Sequence, residues 1–422
     1  MQEMEKQKER VIICGVHRGL VDVLSDSTEE TMAELEELVK TAGGDVVAQV
    51  LQNRNTIEKA TYVGEGKLEE IKNACQTLGA DLLVFDDELS GSQIRNIEDI
   101  TGVRVIDRST LILDIFASRA RSAEGKIQVE LAQLKYMLPR LTGMGEQLSR
   151  LGGGIGTRGP GETKLESDRR HIRARIEALE EKLVDIKKHR ALLREGRKKQ
   201  GHLVAALVGY TNSGKSTLLN TLTNAGVFAE NMLFATLDTT YRGITLSDSR
   251  NCLIVDTVGF IRKLPHHLIN AFKSTLEEVV EADALIHVVD STNPEMANQI
   301  EVVNRLLGEL NCGDKPQILA LNKTDARDGK IIPRPSGKYD HIVNISAKYN
   351  IGIDELLKAL EEVLPGKKIK TKFLFPYTAG DKVALIHQNE LVLEEEYGPL
   401  GTTMVVMADR VLRERLKEFV IE

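Results

Sequence analysis

The chain has 422 residues, 41% of them hydrophobic and 28% charged, and four cysteines (Cys14, Cys75, Cys252, Cys312) without metal-ligand or disulfide spacing. No apolar run approaches membrane-spanning length and the N-terminus shows no secretory pattern, which excludes a membrane span or a disulfide-stapled secreted scaffold and points to the cytoplasm. The net charge of −7 hides an asymmetry: residues 1–117 carry 12 Lys+Arg against 23 Asp+Glu, residues 118–200 carry 20 against 11, and residues 201–422 carry 24 against 29, so a basic segment suited to a polyanion separates two acidic ones.

Residues 1–117 alternate strand-like runs (11–16, 44–50, 81–85, 103–106) with helix-like ones (28–41, 66–78, 92–101), which predicts an α/β domain on a largely parallel sheet. No catalytic constellation stands there. Residues 62–68 are either a phosphate or RNA contact or a plain loop before a helix.

Residues 118–200 carry two apolar stripes at four-three spacing. One is Ile127, Leu131, Leu134, Leu138 and Leu141; the other is Ile172, Ile176, Leu179, Leu183 and Ile186, with Leu193 a heptad later. They predict a long antiparallel helical hairpin, each helix burying its stripe on the other. Its tip, residues 151–164, packs six glycines, one proline and two basic residues into fourteen positions, much more than a turn needs. Gly153, Gly154, Thr157, Arg158, Gly159 and Lys164, with Arg169, Arg170 and Arg173 beyond, are the candidate phosphate contacts to a polyanion such as RNA; a linker tip and a merely solvated helix face are the alternatives.

Residues 201–365 hold four motifs in a fixed order. Gly209, Tyr210, Thr211, Asn212, Ser213, Gly214, Lys215 and Ser216, followed by Thr217, form a GxxxxGKS loop between an apolar run and a helix-like one. Backbone N–H groups there converge on phosphates, Lys215 reaches the β- and γ-phosphates, and the Ser216 hydroxyl ligates Mg²⁺. Asn212 either helps hold a monovalent cation such as K⁺ or only shapes the turn. Phe234, Ala235, Thr236, Leu237 and Asp238 form the candidate first switch, with Thr236 closing on Mg²⁺; Thr239 and Thr240 are nearby hydroxyls. Asp256, Thr257, Val258 and Gly259 make the DxxG motif, Asp256 holding Mg²⁺ through water.

Asn322, Lys323, Thr324 and Asp325 choose the base, because one carboxylate accepts both N1–H and the 2-amino group of guanine and adenine lacks that pair. Ser346, Ala347 and Lys348 complete the base site, Ala347 through its backbone N–H. Phe260 stands where many regulatory GTPases place a glutamine that orients water, so hydrolysis by the chain alone is expected to be slow. The last segment, 366–422, reads as a small α+β domain in which residues 382–387 and 403–407 alternate like strands.

Residues 62–67, 127–134, 153–164 and 234–238 before 256–260 together resemble the HflX family of translation-factor-related GTPases over nearly the whole chain, the glycine-rich stretch being the most specific. The resemblance implies Mg²⁺-dependent GTP hydrolysis, binding to the large ribosomal subunit with the hairpin tip toward the peptidyl transferase centre, and GTP-dependent splitting of stalled or heat-stressed ribosomes. It also implies use of ATP or RNA remodelling through the N-terminal region, for which no motif is visible. An RNA-binding assembly factor for the large subunit is the second reading and a stress switch that recruits a protein partner is the third; a monomer fits a factor that enters a confined site.

Overall fold

The computed structural model describes residues 8–19, 28–141, 164–199, 202–223, 233–234, 239–263, 273–327, 335, 337–366, 369–390 and 392–421. The chain divides into two compact units, the first comprising residues 1–191, 230–238 and 258–275, the second 192–229, 239–257 and 276–422.

In the first unit, β1 (Arg10–His17), β2 (Asp45–Asn53), β3 (Leu82–Phe85) and β4 (Arg104–Asp107) form a parallel sheet in the order β2-β1-β3-β4. The helices α1 (Thr28–Thr41), α2 (Glu65–Leu78), α3 (Gly91–Thr101) and α4 (Arg108–Arg119) alternate with the strands. Val11, Ile12, Ile13 and Cys14 on β1 are all buried, as expected of a parallel strand covered on both faces. Helix α3 starts at a reciprocal capping box between Ser90 and Gln93. Tyr62 and Val63 are core residues: the Tyr62 ring packs edge-on to Phe85 at 5.5 Å and its hydroxyl donates to Asp87, so this part of the segment before α2 is a packed turn.

The helices α5 (Ala123–Arg140) and α6 (Lys164–Lys199) bury Leu131, Ile176 and Leu179 between them, with Ile127, Leu134, Leu138, Ile172 and Leu183 packed around. Glu124 near the start of α5 pairs with Arg190 late in α6, while Lys135 further along α5 pairs with Glu180 earlier in α6, an antiparallel arrangement. Leu193 departs from expectation: it is 55% exposed, because the stripe outruns the 18 residues of α5 that cover it.

At the reversal of strand order in this sheet, Asp86 and Asp87 follow the carboxyl end of β3. Both accept from Lys263 Nζ, at 2.5 and 2.8 Å. Burial pushes the Asp86 carboxyl up, but Arg108 at 2.9 Å and Lys263 outweigh it and hold the group below its ordinary range. Arg262 pairs with Glu30, and Phe234 packs against Phe116 at 4.6 Å between ring centres.

In the second unit, β5 (Leu203–Val208), β6 (Thr240–Thr245), β7 (Asn251–Asp256), β8 (Ala284–Asp290), β9 (Gln317–Asn322) and β10 (His341–Asn344) make a sheet in the order β10-β9-β8-β5-β7-β6. Only β6 runs antiparallel to its neighbour. The helices of this region are α7 (Lys215–Thr223), α8 (Lys273–Glu281), α9 (Met296–Glu309) and α10 (Ile353–Val363). Leu218 and Leu219 of α7 and Leu356 and Leu360 of α10 bury against Ala205, Ile286 and Ile318 of the strands.

A three-stranded antiparallel sheet orders β11 (Ile369–Phe375), β13 (Gly401–Ala408) and β12 (Val392–Gly398) as β11-β13-β12, with α11 (Gly380–Asn389) and α12 (Arg410–Arg415). Residues 382–387, expected to alternate as a strand, are instead helical within α11. Val383 and Ile386, three apart, both reach the core around Phe373 and Phe375, which is helical spacing; the four-residue apolar run 383–386 is too short to distinguish the two periods. All four cysteines are buried and none is paired in a disulfide.

Candidate functional site: a nucleotide site on the second sheet

The phosphate-type loop turns between the end of β5 and the start of α7. Gly209 has φ +152°, and a Cβ there would lie 2.2 Å from the Val288 carbonyl oxygen; a Cβ on Gly214, at φ +96°, would lie 2.3 Å from Asn322 Nδ2. Both positions therefore demand glycine on space as well as on backbone angle. Asn212 sits at φ +60°, the left-handed region that asparagine tolerates, which accounts for its place in the turn.

Lys215 is buried, and its ammonium donates to the carbonyls of Gly209 and Tyr210 at 3.2 and 2.8 Å. Burial draws its pKa down to about 8, against an opposing pull from Asp256. Asp256, fully buried at the end of β7, accepts from Ser216 Oγ at 2.6 Å. Thr257 anchors the strand end by donating to the Leu207 carbonyl at 2.7 Å. The hydroxyls of Thr211 and Ser213 are buried without a hydrogen-bond partner among the described residues. A hydroxyl and a carboxylate in contact are the oxygen donors that Mg²⁺ takes, and the unpartnered hydroxyls and the lysine suit phosphate oxygens. The residues present fit a magnesium-bound polyphosphate.

Asn322 ends β9 and ties two loops together: Nδ2 donates to the Ser213 carbonyl at 2.9 Å, and Oδ1 accepts from the Ala347 N–H at 3.0 Å. The Ala347 N–H, expected to face the base, is thus engaged with Asn322 in this structure. Lys323 stands at φ +64°, with its ammonium 2.6 Å from Asp290. Thr324 donates to the Ile345 carbonyl at 2.9 Å, Asp325 is exposed and accepts from the Ser346 hydroxyl, and Lys348 is exposed beside Tyr349. Thr217 is half-buried, and its carbonyl accepts from Thr221.

Val258, Gly259 and Phe260 are buried and cluster with the first unit, as does Phe234. Ala235, Thr236, Leu237 and Asp238 lie outside the described residues, as do Gly153, Gly154, Thr157, Arg158 and Gly159. Lys164 opens α6; beyond it Arg170 and Arg173 are exposed and Arg169 is half-buried.

Two contributors carry no motif. Thr221 Oγ1 donates to the Ala347 carbonyl at 2.6 Å, bracing the base loop on α7, and Asp290 orients Lys323. Asp290 had a legible signal, since it ends an apolar run as Asp256 does; Thr221 had none.

A glycine-bent loop between strand and helix, a Ser–Asp oxygen pair and an Asn-Lys-Thr-Asp loop at the ends of the parallel strands β5, β7 and β9 of one sheet define a P-loop GTPase. Three family models cover most of the chain: "GTP-binding GTPase N-terminal" over residues 29–117, "GTP-binding GTPase Middle Region" over 119–197 and "50S ribosome-binding GTPase" over 204–323. The GTPase HflX of Caldanaerobacter subterraneus subsp. tengcongensis is 50% identical over 421 residues, covering 100% of this chain and 96% of that protein. That of Lacrimispora saccharolytica is 51% identical over 94% of this chain and 92% of its own, and that of Escherichia coli 42% identical over 88% and 87%. The chain belongs to the HflX family of GTPases.

Proposed function

We propose that this GTPase binds the large ribosomal subunit and, in its GTP form, separates stalled ribosomes into subunits, with hydrolysis resetting it. The nucleotide site carries the GTPase part of this reading. Lys215, Ser216 and Asp256 would hold the polyphosphate and its Mg²⁺, which neutralises phosphate charge as hydrolysis proceeds. Asn322 would hold the base loop on the phosphate loop, and Asp325 would select guanine. Phe260 is buried and apolar, so it cannot orient water; that help is expected from the ribosome, and turnover by the protein alone is expected to be slow. K⁺ beside Asn212 would be a second source of help, read by exchanging K⁺ for Na⁺ in the same assay.

The ribosomal part rests on the printed description of the family model over residues 204–323 and on the basic charge of residues 118–200. The glycine-rich residues 151–164 are assigned to the RNA contact, near the peptidyl transferase centre, with Arg169, Arg170 and Arg173 beside them.

The test is GTP turnover alone and with purified ribosomes at fixed salt, alongside light scattering of intact ribosomes. Strong stimulation with loss of scattering supports the reading, and deletion of residues 152–164 should abolish splitting while GTP still binds. Absence of stimulation and splitting, with tighter binding to immature than to finished subunits, would replace it with the assembly-factor reading.

A further inference from the structure

The sheet of β11, β13 and β12 has unlike edges. Along β11, Phe373 pairs with Val420 and the Ile421 N–H donates to the Lys372 carbonyl at 2.9 Å, so residues 420–421 cover that edge. β12 forms the other edge, and among the described residues no strand pairs with its outer side. A register shift between Val392 and Glu394 leaves 394–398 as its regular run. An open edge presents a row of backbone N–H and C=O groups, on which an extended peptide can add as a further strand.

The side chains along β12 restrict the partner. Residues 390–396 hold four glutamates, and no lysine or arginine stands between 383 and 409. Glu395 is committed: it pairs with His387 on α11 at 3.3 Å and accepts from the Tyr397 hydroxyl at 2.9 Å. Glu394 and Glu396, beside Val405 and Thr403 of β13, point to the other face of the sheet. Both are exposed, and Glu394 meets Lys370 at 3.4 Å, a solvent-screened pair that a competing cation displaces at little cost. Tyr397 is 74% exposed, and Leu393 and Leu400 on either side of it in the chain are exposed as well. Pairing β12 with a second copy of itself would set glutamate against glutamate, which is unfavourable. The same carboxylates repel a polyanion, so this edge does not suit RNA; they favour a strand of opposite charge.

We propose that β12 is a docking edge for a partner protein, which adds a lysine- or arginine-rich extended segment as a fourth strand. Basic residues two apart in that segment lie beside Glu394 and Glu396, and the residues between them fall on the face of Tyr397, because side chains alternate along a strand. Backbone pairing supplies the binding and the two carboxylates supply the choice of partner. The inference concerns residues 366–422 and does not rest on ribosome splitting.

The test follows hydrogen exchange of the full-length protein by mass spectrometry, with and without an acetylated, amidated peptide of alternating lysine and threonine. One control peptide alternates glutamate and threonine. The other is the lysine peptide with two adjacent prolines inserted at its centre, which keeps the charge and interrupts the N–H groups on both of its sides. The lysine peptide should slow exchange in fragments covering 392–398 by about tenfold or more, and neither control should. Glu394→Gln combined with Glu396→Gln should weaken the peptide by about three- to tenfold at an unchanged thermal transition, since each cross-strand ion pair contributes modestly. Should the double variant not fold, Glu396→Gln alone serves the same purpose. Absence of binding, binding that leaves 392–398 unprotected, equal binding of the proline peptide, or an unaffected glutamine variant overturns the proposal. Protection of 392–398 that grows with protein concentration in the absence of peptide would overturn it too, by assigning the edge to a second copy.

Discussion

Lys215 is buried against two carbonyls with its pKa drawn to about 8, so near pH 8 it is only about half protonated before nucleotide arrives. A polyphosphate beside it favours the charged form. Nucleotide binding should therefore take up roughly half a proton at pH 8 and almost none at pH 6.5, read by calorimetry in two buffers of different ionisation enthalpy. His287 makes a stability prediction. Burial, with Lys215 nearby, lowers its pKa from 6.5 to about 3, and Tyr339 Oη lies 3.2 Å from its Nδ1. The unfolded chain binds the proton that the folded one refuses. The contribution of His287 is complete above pH 6.5 and is lost as pH falls toward 3, at about 1.4 kcal/mol per pH unit. His287→Phe should flatten the dependence of the urea midpoint on pH between 4 and 6.5.

The hairpin of α5 and α6 shows how far a stripe of apolar residues serves at the level of elements. Leu179 is 1% exposed and Leu193 is 55% exposed, although they occupy equivalent positions in the same repeat. Leu179→Ala should cost about 2–4 kcal/mol of unfolding free energy, the range for truncating a buried leucine, and Leu193→Ala less than about 0.5. Equal effects in chemical denaturation would contradict the boundary drawn here for the buried stripe. The stripes themselves were legible because four-three spacing is a local property. Where burial ends was not, since it depends on the length of the facing helix. The same limit explains α11, whose four-residue apolar run in positions 383–386 fits either period until a core selects one.

For the whole molecule, charge distribution makes the most exposed prediction. The excess of nine positive charges in residues 118–200 implies that ribosome affinity falls steeply with salt, through release of counterions from RNA. Arg169→Gln, Arg170→Gln and Arg173→Gln combined should weaken binding and reduce the slope of log affinity against log salt by about two. Unchanged slope would remove α6 from the contact surface while leaving the nucleotide chemistry untouched. GDP affinity measured alongside should not move, because none of the three belongs to the unit that holds the phosphate loop.

Local order along the chain sets what backbone geometry can carry: the alternation of strands and helices, the paired stripes, and each nucleotide motif as a short run with its own φ demands, such as the glycines at 209 and 214. Tertiary structure alone decided how those runs meet. Asn322 reaches Ser213 across 109 positions of sequence, Thr221 braces Ala347 across 126, and Lys263 finds Asp86 across 177. The reach of Arg140 to the Leu89 carbonyl across 51 positions is equally invisible in the chain. The reason is physical: periodicity and turn preference act between near neighbours, whereas burial, pKa and hydrogen-bond satisfaction depend on which distant groups the fold brings within about 3 Å.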